Sequence, residues 1–301
     1  MDPSAQLPAP LHFCKNCDSE LIGEYCHQCG QQDKQYVRSM FAVMGDLFGE
    51  LGHWDSRFYR TLVGLMARPG FLSLEFVRGR HASYVPPLRL YFFISLISFL
   101  ILSSLIDFEN LNSSTFTGPE PVAIEGEPAK KLSPKIELGW LSEAEETEIN
   151  NKLQYLADNP KILVQRLVSL APQMMLLMLP FWALFLKIIY LFNRHYYLEH
   201  LAVALHTHAF LLLSMTGLTL VSTSMSSLTT LTGNAQFVEI ADWIETSIII
   251  WMATYMLITQ KLFYQQGWWK TLLKFVLCSL GYIVLLSAAF IVLIIYGILT
   301  A

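Results

Sequence analysis

Apolar residues occur in this chain as long unbroken runs, not as the alternation of a sheet or the single stripe of a soluble helix. Five runs approach or exceed the roughly 20 residues a helix needs to cross a bilayer: 88–106, 168–192, 198–222, 243–263 and 275–299. The fourth is the most diluted, by Thr246, Ser247, Thr254 and Tyr255. The pattern predicts an all-α membrane protein with five transmembrane helices, because an isolated helix satisfies its own backbone in lipid. Residues 88–301 form the membrane domain, with 107–160 as an external loop.

Upstream, the spacing turns amphipathic. Val37, Met40, Phe41, Met44, Leu47, Phe48 and Leu51 recur with helical period, weakened by Gly45, Gly49 and Gly52. A second helix, N-capped by Asp55 or Ser56, presents Phe58, Leu62 and Leu65 and stops at Arg68-Pro69-Gly70. A third, 71–78, ends at Gly79. Residues 33–87 are read as cytoplasmic amphipathic helices, either a collar in the headgroup region or a small helical domain packed on itself. In the external loop, Ser142 and Glu145 make a capping box ahead of Ile149, Leu153 and Leu156.

Composition agrees with pattern. Only 15% of the 301 residues are charged, and the mean hydropathy is +0.42, too apolar for an ordinary soluble domain. The opening residues, MDPSAQLPAP, read as a disordered tail over 1–12 with neither a basic region nor an early apolar run, so the first span is expected to serve as the insertion signal. Charge sets orientation. From Lys34 to Arg89 there are eight bases against four acids, whereas 107–161 holds eleven acids and five lysines. Lys187, Arg194, Lys261, Lys270 and Lys274 flank the second and fourth turns. A cytoplasmic N-terminus puts every basic cluster on one side and the C-terminus in the periplasm of a bacterial inner membrane.

Cys14, Cys17, Cys26 and Cys29 form two C-x-x-C pairs. Four thiolates at this spacing point to a zinc ribbon over 13–32, holding one structural Zn²⁺ with no open coordination position. Iron held by four sulfurs is the competing reading. Unpaired cysteines this close imply a reducing compartment, in agreement with the charge argument. Phe13 and Tyr25 are expected to pack over the site, His27 to be a hairpin residue, and Cys278 to be a small apolar residue of the last span.

Glu199, His200, His206 and His208, at the start of the third span, are a candidate intramembrane polar site, since ionisable groups there are costly. Helical geometry puts Glu199 and His206 on nearly one stripe but keeps the three histidines from converging on one metal. A proton relay, a Glu199–His206 pair, a partial metal site and neutral imidazoles bonded to neighbouring helices all stay open. Arg78, Arg80, Tyr84 and Arg89 are candidate lipid-headgroup contacts, with topological anchoring as the simpler role. Pro172, Gln173 and Pro180 are read as packing or as a kinked polar lining in the second span. No nucleotide loop, nucleophile elbow or metalloprotease helix is present, and the acidic surroundings of Lys15 argue against nucleic acid.

The run C-x-x-C…YC-x-x-CGQ, carried by Cys14, Cys17, Tyr25, Cys26, Cys29, Gly30 and Gln31, resembles an uncharacterised bacterial family of multi-pass membrane proteins, a domain of unknown function. Arg68, Pro69, Gly70, Gly79, Arg80, Tyr84, Pro86, Glu199, His200 and His206 extend the resemblance. It implies an inner-membrane location and a zinc ribbon, and supplies no activity. The span count is also similar to the Yip-type five-span membrane family. The expected role is a non-enzymatic scaffold, regulator or assembly factor whose ribbon docks a cytoplasmic protein, with membrane lipids as further partners. The alternatives are a transporter or lipid-handling protein using the second and third spans, or an intramembrane enzyme with Glu199 and His206 as acid and base.

Overall fold

The computed structural model describes residues 12–33, 56–105 and 142–299. The N-terminal tail, the helix expected at 37–51 and the first part of the external loop lie outside them. Among the described residues there are eight helices and no strand: α1 Ser56–Ala67, α2 Phe71–Val77, α3 Pro87–Leu105, α4 Glu143–Asp158, α5 Pro160–Ile189, α6 Tyr197–Thr232, α7 Gln236–Tyr264 and α8 Trp268–Leu299. The chain divides into two units, residues 1–98 with 179–279, and 99–178 with 280–301.

Four helices are long and apolar enough to cross a membrane: α3, α5 over Val164–Ile189, α6, and α8 over Trp268–Gly297. The fifth expected span, α7, is a continuous 29-residue helix but falls outside that set. Thr246, Ser247, Thr254 and Tyr255 are joined by Thr259, Gln260 and Lys261, which lower its hydropathy.

α6 runs ten residues past the expected stop at Ser222. The polar stretch STSMSSLTTLT remains helical because its hydroxyls turn back onto the helix: Thr219 onto Met215 O at 3.0 Å, Ser227 onto Thr223 O at 2.9 Å and Thr232 onto Leu228 O at 2.7 Å. A hydroxyl so satisfied costs little in an apolar setting. Gly233 then ends the helix in the left-handed conformation, its N–H bonded to Thr229 O.

In the first unit α6 is the centre. Its apolar window is 61% buried, against 11% for that of α8, so α8 leaves most of its apolar surface uncovered while α6 is held by protein. Lipid offers no hydrophobic drive for helix pairing, which relies instead on close packing. Ala202, Ala204 and Ala209 are buried on α6, and Phe210 stacks on Tyr255 of α7 with ring centroids 3.7 Å apart.

The two short amphipathic helices also pack on protein. α2 contacts α6 and α7, and α1 contacts α2 and α6. Thr61 and Leu65 of α1, and Leu72, Ser73 and Glu75 of α2, are buried. The Arg68-Pro69-Gly70 turn makes this docking close: Gly70 has φ +71°, and a Cβ there would lie 3.3 Å from Thr259 Cα of α7. A side chain at residue 70 would be both strained and crowded.

In the second unit the expected capping box is present. The Glu145 N–H donates to Ser142 Oγ at 3.4 Å and the Ser142 N–H to Glu145 Oε2 at 3.0 Å; the Ser142 hydroxyl, 2.7 Å from Oε2, and then that N–H hold the Glu145 carboxyl below its ordinary range. Arg166 donates to Gly297 O at 3.2 Å. α5 is unbroken through Pro172 and Pro180, and Gln173 is exposed. A cavity of about 410 Å³ beside Met174, Met178, Leu286 and Phe290 is apolar, which offers no polar pathway.

Candidate metal centre and polar clusters

The cysteine segment folds as one short motif used twice, twelve residues apart. Phe13 bridges Glu20, and Tyr25 bridges Gln32. The Cys14 N–H donates to Ser19 O at 2.8 Å and the Cys26 N–H to Gln31 O at 2.9 Å; Asp18 N–H returns to Cys14 O and Gly30 N–H to Cys26 O, both at 2.9 Å. Asp18 and Gly30 hold the same left-handed place, at φ 59° and 72°. Each copy is a tight knuckle offering two sulfurs. These are isolated bridges, not strands.

The four sulfurs lie within 4.8 Å of one another. Cys14 Sγ is 3.6 Å from Cys29 Sγ, and Cys17 Sγ is 3.5 Å from Cys26 Sγ. A disulfide requires about 2.05 Å, whereas four sulfurs around a tetrahedral ion stand roughly 3.8 Å apart. The cluster therefore fits a metal ion, and Cys14 and Cys26 are buried. Ser19 Oγ, 3.0 Å from both Cys17 and Cys26, and backbone amides hold the Cys26 thiol down to about 5. Ser19 also lowers Cys17. Burial pushes Cys29 up to about 12. The lowered Cys17 and Cys26 favour a cation at the centre. Phe13 and Tyr25 are 52% and 61% exposed, so they do not cover the cluster as expected; the sulfurs are enclosed by the turns themselves. His27 is exposed.

Equivalent positions in the two knuckles differ in use. Ser19 faces the sulfurs; Gln31 faces the loop before α3. Gln31 Nε2 donates to Gly79 O at 2.7 Å, and Gln31 Oε1 accepts from the His81 and Ala82 N–H groups at 3.0 Å each. Ser83 donates to Asn16 at 2.8 Å. A Cβ on Gly79 would fall 2.8 Å from Lys15 Cδ at a backbone φ of +85°, so glycine allows the close approach. Burial, with Lys15 nearby, pushes the His81 imidazole down to about 4. The cysteine segment is thus latched to the loop that leads into α3. Gln31→Ala removes three hydrogen bonds and is expected to free the ribbon, at a cost of about 1–3 kcal/mol, without loss of metal. Faster amide exchange across 79–83 at unchanged metal content is the measurement.

Each of the four polar residues at the start of α6 has its own partner. Glu199 Oε2 pairs with His195 Nδ1 at 2.6 Å and accepts from the Tyr196 N–H at 3.1 Å, which makes it the cap of α6. His200 Nδ1 meets Tyr264 Oη at 2.8 Å. His206 Nδ1 meets Ser73 Oγ of α2 at 3.0 Å. His208 Nδ1 meets Ala204 O one turn back at 2.8 Å. Glu199 therefore pairs with His195, four residues before it, and not with His206. His195, Ser73 and Tyr264 escaped the sequence reading; only His195 carried a signal, the i,i+4 spacing to Glu199. No Glu/His group among the described residues assembles a metal site.

The candidate lipid contacts each have a partner within the protein. Arg78 and Arg80 bind the two oxygens of buried Glu75 at 2.9 and 3.0 Å, and this contact raises the Arg80 guanidinium further. Arg89 is buried, its guanidinium 5.8 Å from the Phe93 ring centre. Tyr84 packs edge-on against Phe71.

Residues 55–99 match the family model described as Protein of unknown function (DUF3667). The match takes in α1, α2, the Arg68-Pro69-Gly70 turn, the latched loop and the first part of α3, and not the cysteine knuckles that dock against it. No curated protein and no solved structure matches the chain.

Proposed function

We propose that this chain is a bacterial inner-membrane protein of five spans that acts as a non-enzymatic scaffold, regulator or assembly factor. Its Zn²⁺ ribbon is presented in the cytoplasm as a fixed docking head, and α7 is counted as the fourth span. The observation that carries this reading is the latch: Gln31, Asn16 and Lys15 engage the loop 79–83 while Phe13, Ile22 and Tyr25 stay exposed, Ile22 at 87%. A small domain held rigidly on one side, with apolar side chains free, suits protein capture better than catalysis. Orientation is supported by contacts as well as charge. The ribbon docks on the loop after α2, and α2 meets α6 through His206 near its start and α7 through Thr259 near its end. Those ends adjoin the basic turns at 187–196 and 261–270. Glu199 paired with His195, apart from His206 on Ser73 and His208 on Ala204 O, favours this reading over a transporter or an intramembrane enzyme with Glu199 and His206 as acid and base.

A photo-crosslinking residue at Ile22 or Tyr25 is expected to trap a discrete protein partner in cells, and the adduct should vanish with Gln31→Ala or Cys14→Ser. Glu199→Gln and His206→Ala should leave it unchanged. A phenotype lost through the last two at normal protein level, with the adduct intact, would transfer the function to the membrane bundle.

A further inference from the structure

Arg78 and Arg80 already hold Glu75 and Arg89 is buried, whereas Arg194 and Lys270, on the turns between α5 and α6 and between α7 and α8, are exposed. These turns are tied together. Asn193 Nδ2 donates to Tyr264 O at 3.2 Å, Gln266 Nε2 donates to Asn193 Oδ1 at 2.7 Å, and Lys261 donates to Gln266 O. Lys187, Arg194, Lys261, Lys270 and Lys274 gather on this joined segment. Its one carboxylate, Glu199, is already paired with His195. None of the five cations has a carboxylate partner among the described residues: Lys187 donates to His195 O at 2.5 Å, Lys261 lies 5.2 Å from the Trp268 ring centre, and Lys274 4.2 Å from that of Tyr190. Exposed aromatic residues border them, with Phe192 at 97%, Trp269 at 87%, Trp268 at 61% and Tyr196 at 54%.

We propose that the joined turns 187–196 and 261–274 form a binding face for the headgroups of anionic phospholipids in the leaflet that contains the ribbon. Ammonium and guanidinium groups without a carboxylate partner match phosphodiester charge, and indole and phenol rings beside them favour the headgroup depth. Neutral headgroups offer no net charge to this surface. The face rests on the membrane reading above and not on the scaffold role.

The test uses the full chain in mild detergent, freed of copurifying lipid and titrated with phosphatidylglycerol or phosphatidylcholine, with bound lipid counted by native mass spectrometry. Phosphatidylglycerol is expected to bind about ten-fold more tightly than phosphatidylcholine. Arg194→Gln with Lys270→Gln, both exposed positions, should remove most of that ten-fold preference. Arg194→Lys with Lys270→Arg should preserve binding, and Lys152→Gln on α4 should leave it unchanged. Equal retention of the two lipids, unchanged affinity in the neutralised variant, or displacement by millimolar inorganic phosphate would each overturn the proposal. Release of the protein from membranes by alkaline carbonate would instead overturn the membrane reading.

Discussion

Cys14→Ser is expected to strip the metal from the chain and unfold residues 12–33 while the helices persist. The ribbon has almost no apolar core, since Cys14 and Cys26 are its only buried hydrophobic residues. A segment this small cannot offset its chain entropy by burial. The metal must supply the difference, and structural sites of this type contribute on the order of 10 kcal/mol. Serine cannot replace a buried thiolate in a tetrahedral set. Metal measured by mass spectrometry should fall from one ion per chain to near zero. The latch should go with it, because Gln31 is held in place only by the second knuckle, so amides at 79–83 should lose protection to the same degree as in Gln31→Ala. Visible absorbance of the purified wild type separates the metals: iron in four sulfurs is coloured and zinc is not. A metal-free wild-type protein with a protected ribbon would refute the metal centre.

Much of this architecture was legible in the pattern of the chain. Long apolar runs marked α3, α5, α6 and α8, and two C-x-x-C pairs marked a cluster of four sulfurs, because both signals depend on local spacing alone. Where the reading fell short, the deciding contact was distant in sequence or hidden in the helix. The end of α6 was placed at Ser222 because serine and threonine count as polar, although their hydroxyls are satisfied one turn back. Glu199 and His206 share a helical stripe, yet Glu199 is taken by His195 and His206 by Ser73, 133 residues away. Gln31 looked like the end of a motif and proved to be the latch, a role set by backbone groups 48 to 51 residues further on. The twelve-residue repeat, Phe-Cys-x-x-Cys and Tyr-Cys-x-x-Cys, escaped the sequence reading and emerged only from the matching bonds and the shared left-handed conformation of Asp18 and Gly30.

The double replacement Arg78→Ala with Arg80→Ala is expected to destabilise the first unit strongly, and through Glu75 rather than through lipid. The Glu75 side chain is 4% exposed, and each of its oxygens is held by one guanidinium. Removing both cations leaves a carboxylate that is closed off from water and has no charge partner. An uncompensated buried charge of this kind costs on the order of 3–5 kcal/mol. α2 is short, and its docking between α6 and α7 sets both the His206 contact and the loop that receives Gln31. Its displacement should therefore lower the melting temperature in detergent and release the ribbon together. Adding Glu75→Gln to the double variant removes the stranded charge and should restore most of the loss, whereas a lipid role predicts no rescue. The corresponding neutralisation at Arg194 and Lys270 should leave the melting temperature of the lipid-free protein unchanged. If the Arg78/Arg80 variant melts like the wild type without lipid and differs only when phosphatidylglycerol is added, the two arginines serve the headgroups after all, and the assignment of Glu75 as their partner fails.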